Sequence, residues 1–358
     1  MLIYHLRKAS SAIVRKTSKA RNCNWQLGTH GAMTDRKSKI ENRESLVTVH
    51  IGHSPDSDDA FMFYALASRR FDTSPEVYAH HLADIETLNR AAEQGRYEVT
   101  ALSFHAYAYL ADRYVLLPHG ASFGDGYGPV LVARQFKQPK AARAPADQFV
   151  SAREWLRGKT IAVPGERTSA LLALRLFSGP PSPIPLPPAG GAKRRVPAPD
   201  YKTVVVPFDQ ILPQTAAGKY DGGLLIHEGQ LTYHESASGG LKKVVDLGAW
   251  WSSMTGLPLP LGGNAIRRGL GRARIRRISK HLHESIKWGL EHRREALNHA
   301  LKYGRGIGRA KADKFVGMYV NAYTLDYGEK GRAAVRLFFD AGRRLGIIPG
   351  HVEPEWSE

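Results

Sequence analysis

The stretch Gly222-Gly223-Leu224-Leu225-Ile226-His227-Glu228-Gly229 decides how this chain is read. A short apolar run bounded by glycines reads as a buried strand, and such strands in open α/β sheets present their C-terminal ends to the ligand crevice. His227 stands at that end. An imidazole with an ordinary pKa of about 6.5 can take and return a proton near neutrality. The alternative role for a single histidine is structural, with the ring satisfied by a backbone carbonyl.

Similar units flank this stretch. Leu46 to Gly52 alternates as a strand and is followed by the turn Ser54-Pro55-Asp56-Ser57-Asp58-Asp59 and the apolar run Ala60 to Leu66. Ser, Asp and Pro supply turn and N-cap chemistry there, and leave helix-start N–H groups for a ligand. Asp84 to Arg96 reads as a helix with Ile85, Leu88 and Ala92 on one face. Val99 to Phe104 reads as a strand in which Ala101-Leu102-Ser103 again ends on a hydroxyl. A helix over His105 to Leu110 and a strand over Tyr114 to Leu117 follow. The glycine-rich loop Gly120 to Pro129 precedes the strand Val130 to Ala133, the wrong order for a dinucleotide fingerprint or a P-loop.

A second series starts with the strand Lys159 to Val163. Thr168 and Ser169 stand at the head of a helix over Ala170 to Phe177, where their hydroxyls either cap the helix or touch a ligand. The Pro/Gly-rich segment Ser178 to Asp200 reads as a flexible loop. Strand Thr203 to Val206, a helix around Ile211 to Ala217, and Tyr220 to Ile226 bring the chain to His227. Beyond it lie a strand over Leu241 to Leu247 and an extended segment over Leu257 to Asn264. From about Ile275 the pattern is helical, with Ile278, Leu282, Ile286 and Leu290 on one face.

With 358 residues and 42% apolar content, the chain can bury one large core or two medium ones. No apolar run approaches the roughly 18 to 20 residues of a membrane span. The single cysteine, Cys23, excludes an intramolecular disulfide and any Cys-based zinc or iron–sulfur site, and suits a reducing, cytoplasmic setting. Net charge is +18, from 51 basic and 33 acidic residues. Residues 1–46 carry ten Lys/Arg against three acids, lack apolar periodicity, and read as a disordered extension, with Met33 as an internal start. Arg267 to Lys280 holds seven basic residues and no acid, and Lys193-Arg194-Arg195 forms a third cluster. Without aromatic interleaving or a helix-turn-helix pattern, these read as solvated basic surface rather than a nucleic-acid interface. Attraction of a small anion is a milder option.

In order along residues 47–345, the pieces are Ser54-Pro55 with Asp59 and Phe61-Met62-Phe63-Tyr64-Ala65-Leu66, Leu102-Ser103-Phe104-His105-Ala106-Tyr107, and Asp112-Arg113-Tyr114-Val115. Then come Val163-Pro164-Gly165 with Thr168, Leu225-Ile226-His227-Glu228, Val245 to Trp251, and Tyr319-Val320-Asn321 with Leu325-Asp326. The series resembles the 1,4-dihydroxy-6-naphthoate synthase family of the futalosine route to menaquinone. The resemblance implies a periplasmic-binding-protein type II-like α/β fold: two lobes joined by two crossing strands around a cleft. It divides the chain into the extension 1–46, a first lobe over 47–133 and 256–358, and a second lobe over 134–255 holding the loop 178–200. The crossings fall near Gly128 to Ala133 and Leu257 to Gly263.

The resemblance also implies a lyase that needs no cofactor or metal. It would cleave cyclic dehypoxanthinyl futalosine to 1,4-dihydroxy-6-naphthoate plus dihydroxyacetone, with His227 as proton acceptor. Ser54, Asp58, Asp59, Ala101, Leu102, Ser103, Thr168, Ser169 and Glu228 would hold the small anionic substrate, with no nucleic-acid or membrane partner. A non-catalytic solute-binding protein and a chorismate dehydratase are the other activities the same fold admits. The chain departs from the family at two places. Asp56-Ser57-Asp58-Asp59-Ala60 replaces a Cys-Pro-Asn-Asp-Thr type turn, and Ala101 replaces a lysine. Carboxylates there would oppose an anion unless turned away or compensated by a cation such as Arg167.

Overall fold

The computed structural model of the chain describes residues 45–137, 145–179, 199–235, 240–303 and 308–357. Apart from its last two residues, the basic extension 1–46 lies outside them. So do the basic triplet 193–195 and all but the ends of the loop 178–200.

Eleven strands among the described residues form two sheets. The first contains β1 (Val47–His53), β2 (Glu76–Leu82), β3 (Val99–Ser103), β4 (Tyr114–Leu116), β5 (Ser122–Gly124) and β11 (Leu259–Arg267). Its order is β2-β1-β3-β11-β4, with β5 alongside β11; β1 runs parallel to β2 and β3, and β11 antiparallel to its neighbours. The second sheet contains β6 (Val130–Ala133), β7 (Lys159–Val163), β8 (Tyr201–Val205), β9 (Gly222–Leu225) and β10 (Lys242–Asp246), in the order β10-β6-β9-β7-β8. Here β7 is parallel to β8 and β9, while β6 lies antiparallel between β9 and β10.

The sequence reading found strands of both kinds, buried on both faces, as β3, β6 and β9, and partly exposed, as β1, β8 and β10. Every residue of β3, β6 and β9 is buried; β6 and β9 are continuous apolar or glycine runs, and β3 adds Thr100 and Ser103 to an apolar stretch. β2, an edge strand with one buried residue in seven, shows neither a run nor an alternation, whereas the edge strand β8 was readable through its valine run. The helices Pro145–Leu156 and Leu247–Thr255 also went unread. One boundary moves: Val130–Ala133, read as the end of the first lobe, hydrogen-bonds entirely within the second sheet, so the first crossing lies just before it.

At the crossings, backbone packs on backbone. A Cβ on Gly128 would lie 2.9 Å from the Cα of Gly248, and one on Gly248 would lie 1.8 Å from the carbonyl oxygen of Tyr127. No side chain fits at either position. Trp250 and Trp251 then anchor the helix Leu247–Thr255. Trp251 Nε1 donates to Pro258 O at 3.1 Å, and its ring meets Phe338 edge-on at 5.4 Å, while Trp250 meets Phe177 at 5.4 Å. Truncating a buried Trp of this kind typically costs about 3–5 kcal/mol.

In the helix Arg272–Glu291, Ile275, Ile278, Leu282 and Ile286 face the core. Four of the seven basic residues in the cluster are ion-paired: Arg267 meets Glu98 at 2.7 Å, Arg268 meets Glu355 at 2.8 Å, and Arg274 and Arg277 both reach Glu76. Among the described residues no helix is long and apolar enough to cross a membrane.

Candidate active site

The C-terminal ends of β1, β3, β7 and β9 converge on one cavity. β1 delivers Ser54, and the turn after it delivers Asp56, Asp58 and Asp59. β3 delivers Ala101, Leu102 and Ser103; the turn after β7 delivers Thr168 and Ser169. Past β9, Ile226 and Gln230 line the wall, and β11 contributes Leu261 to Asn264. Phe315 and Tyr319 come from the helix Arg309–Tyr319.

Eight of the ten residues expected from sequence therefore line the cavity, and two do not. His227 is buried beside it, flanked by lining residues, with both ring nitrogens engaged. Gly229 N–H donates to Nδ1 at 2.9 Å, and Nε2 lies 3.0 Å from Phe208 O. A carbonyl can only accept, so the hydrogen sits on Nε2 and the ring is the neutral tautomer. This is the carbonyl-satisfied arrangement that the sequence left open. Glu228 is 2% exposed and accepts from Ser57 Oγ at 2.9 Å, which ties the turn after β9 to the helix Ser57–Met62 across the cleft.

The polar groups of the wall are already ordered by their neighbours. Ser54 N donates to Asp59 Oδ2 at 2.7 Å, and Asp56 N donates to Ser54 Oγ at 3.0 Å. Ser103 N donates to Asn89 Oδ1 at 3.0 Å, and Asn89 Nδ2 donates back to Ser103 Oγ at 3.2 Å. Thr168 Oγ1 accepts from Leu171 N at 3.3 Å and donates to Gly165 O at 3.0 Å, so its hydroxyl caps the helix Ser169–Ser178. Ser169 Oγ accepts from His105 N at 3.3 Å. Tyr319 Oη donates to Gln230 Oε1 at 2.8 Å. Gln230, Tyr319 and Asn264 escaped the sequence reading of the site. Only Tyr319 carried a signal, as part of a recognised piece.

Charge is the distinctive property of this wall. Asp56, Asp58 and Asp59 line it, and among the described lining residues there is no Lys, Arg or His. Arg167 supplies no cation: its guanidinium lies 3.7 Å from the centre of the Tyr109 ring and 4.0 Å from Glu93. Burial raises the Asp58 carboxyl well above the usual carboxylate range, and Asp59, Asp56 and Glu228 push it further. Burial likewise carries Asp59 up to about 7, partly opposed by its hydrogen bonds from Ser54. The positive end of the helix Ser169–Ser178, whose first turn lines the opposite side, is the wall's electropositive feature. No group of three or more His, Cys, Asp or Glu side chains among the described residues is placed to hold a metal ion.

Comparison with known proteins places this site in context. The menaquinone-biosynthesis family profile matches residues 49–187 and 192–344. A 1,4-dihydroxy-6-naphthoate synthase of Thermus thermophilus is 39% identical over 297 residues, covering 83% of this chain and 94% of that protein. The Streptomyces coelicolor enzyme of the same name is 34% identical, covering 84% and 95%. A crystal structure of an Archaeoglobus fulgidus protein, 42% identical, superposes with a TM-score of 0.70 over 84% of this chain and 98% of that one. The alkanesulfonate-binding protein SsuA of Xanthomonas axonopodis, 13% identical, covers 87% of this chain and 97% of its own with a TM-score of 0.56, which shows a shared periplasmic-binding-protein fold. By its profile, its relatives and its fold, the chain belongs to the menaquinone-biosynthesis family.

Proposed function

We propose that the chain is a 1,4-dihydroxy-6-naphthoate synthase, a cytoplasmic carbon–carbon lyase that cleaves cyclic dehypoxanthinyl futalosine to 1,4-dihydroxy-6-naphthoate and dihydroxyacetone. The observation that carries this reading is the cavity where β1, β3, β7 and β9 end, in a chain 34–39% identical to enzymes of that name over most of its length. The cavity suits a compact ring system: apolar walls from Leu102, Ile226, Leu261 and Phe315, with polar groups at fixed points. A substrate carboxylate fits best at the head of the helix Ser169–Ser178, where Thr168, Ser169 and the first-turn N–H groups meet it away from the aspartates.

His227 is the proton acceptor in this reading. Its neutral ring is competent to accept a proton, but the Nδ1 lone pair is held by Gly229 N–H and the ring by Phe208 O. A short rotation exchanges those bonds for substrate contacts, at a cost of about 1 kcal/mol per bond, small against the barrier reduction that general base catalysis supplies. Once the hydroxyl proton leaves, the adjacent carbon–carbon bond breaks and the ring aromatises, with water excluded by the closed cleft. The test is conversion of the cyclic substrate by the wild type and by His227→Gln, followed by mass analysis. The variant is expected to bind substrate and lose on the order of 100-fold or more in kcat. Undiminished turnover by His227→Gln would remove it from the role of base.

A further inference from the structure

The turn that carries His227 is gripped by the opposite wall of the cleft. Glu228–Leu231 form a single helical turn with His227 at its head: Gln230 N donates to His227 O at 2.9 Å, and Gly229 N donates to His227 Nδ1 at 2.9 Å. Tyr233 N donates to Gly229 O at 2.9 Å, and the Tyr233 ring packs on the buried cluster that holds Val130, Val132 and Leu225 of the second sheet. His227 and the residues after it are therefore one piece with that sheet.

Two side chains of the same turn reach the other sheet's elements. Glu228 Oε1 accepts from Ser57 Oγ at 2.9 Å and from Ser57 N at 3.4 Å, and Gln230 Oε1 accepts from Tyr319 Oη at 2.8 Å. Ser57 opens the helix Ser57–Met62 and Tyr319 ends the helix Arg309–Tyr319; both helices pack into the core of the first sheet, through Phe61 and Val316. Ser57, Glu228, Gln230 and Tyr319 are all buried, so these bonds do not compete with bulk water. The nearby Lys311–Glu235 pair also crosses, but it is partly exposed and contributes little. Across the cavity, the turn after β7 meets the first sheet's elements through longer bonds, Arg167 N to Glu86 Oε2 at 3.4 Å and His105 N to Ser169 Oγ at 3.3 Å. The shorter ties thus fall within three residues of His227.

We propose that Glu228, with Gln230 beside it, is a positioning residue that makes the base operate only in the closed cleft. Its bond to Ser57 docks the His227 turn on the wall that carries Ser54, Asp58 and Asp59. His227 then reaches the substrate when the two walls meet and withdraws when they part. This rests on the lyase reading above. Glu228 transfers no proton in this role; it acts through His227. Substrate enters with the base retracted, and the fragments leave only after the turn has let go, which keeps water out during the reaction.

The test uses Ser57→Ala, which removes the hydroxyl on the far wall without touching the His227 turn, Glu228→Ala, which removes its acceptor, and Glu228→Gln, which keeps an acceptor for Ser57 Oγ. For the cyclic substrate, kcat is expected to fall about 10-fold in Ser57→Ala and about 10- to 100-fold in Glu228→Ala, with KM changed by no more than a few fold. Glu228→Gln should recover most of that loss. The double variant Ser57→Ala/Glu228→Ala should fall no further than Glu228→Ala, within about 2-fold, because both changes break one contact. Small-angle X-ray scattering of the substrate-free chains should give a larger radius of gyration for both alanine variants than for the wild type, and a value near the wild type's for Glu228→Gln. Losses that multiply in the double variant, or alanine variants whose scattering superposes on the wild type's, overturn the proposal and leave the lyase reading intact. A wild type that yields neither fragment, with scattering that still responds to both alanine substitutions, refutes the lyase reading and its base while the tie between the walls stands.

Discussion

Replacing Asp59 by asparagine isolates the energetic consequence of burying carboxylates in the cleft. Asp59 is 9% exposed, and its folded-state pKa of about 7 stands above the ordinary 3.8 chiefly because burial penalises the charge. Between those values the folded chain binds more protons than the unfolded one. Stability is therefore fully present below about pH 4 and is lost as pH rises through the folded pKa. Integrated from about pH 4.5 to about pH 8, the loss for this one group is on the order of 3 kcal/mol. Asparagine cannot ionise, and its amide oxygen can still accept from Ser54 N, so the variant gives up about 1 kcal/mol of charge-assisted bonding and escapes the pH-dependent loss. Urea unfolding of the two proteins across that range measures both quantities. The wild type should weaken relative to Asp59→Asn as pH rises, by about 3 kcal/mol. A difference that stays constant, or that favours the wild type at high pH, would mean that Asp59 is ionised throughout and that the cleft holds no proton on it.

Gly229→Ala sets a methyl 2.7 Å from the His227 ring, so it should displace the imidazole and lower kcat by at least 10-fold, with fold stability reduced by no more than about 2 kcal/mol; kinetics and thermal melting read the two effects. Ala101→Lys places a cation in the wall beside the aspartates, and should bring the Asp58 and Asp59 carboxyls down toward the ordinary range; urea unfolding should then show a smaller loss of stability with rising pH than the wild type shows. Arg277→Ala removes the fork that meets Glu76 with three hydrogen bonds of 2.7–3.1 Å. The Glu76 side chain is fully buried, so denaturant unfolding at neutral pH should show a loss of about 2 kcal/mol. Burial pushes the Glu76 carboxyl up, but the hydrogen bonds and charge of Arg277, with His281 beside it, together hold it below its usual pKa, so this stabilisation is present above the unfolded pKa and fades as pH falls through the folded one.

How much of this was readable from sequence follows from what each residue does locally. β6 and β9 announce themselves because strands covered on both faces favour unbroken apolar or glycine runs, and the turns after β1, β3 and β7 announce themselves through Ser, Asp and Thr. Eight wall residues follow from those turns, since the ends of parallel strands converge on one crevice. β2 stayed hidden because Glu76–Leu82 has neither the valine run that reveals the other edge strand, β8, nor an alternating burial pattern. Asn264 and Gln230 stayed hidden for another reason: an isolated amide acquires meaning only when the fold closes a wall around it. The orientation of His227 is of the same kind, because no sequence pattern reveals that Phe208 O, nineteen positions earlier, lies within reach of its ring. The charge of the wall was visible as composition, at Asp56, Asp58 and Asp59, but the distance of Arg167 from it was not.

The most direct test of the lyase reading is to incubate the purified chain with cyclic dehypoxanthinyl futalosine and quantify both fragments. The account predicts 1,4-dihydroxy-6-naphthoate and dihydroxyacetone in equal amounts, rising together and many-fold over the number of protein molecules. Saturable binding of the intact substrate with neither fragment released would contradict it, and would leave the fold serving as a binding protein alone.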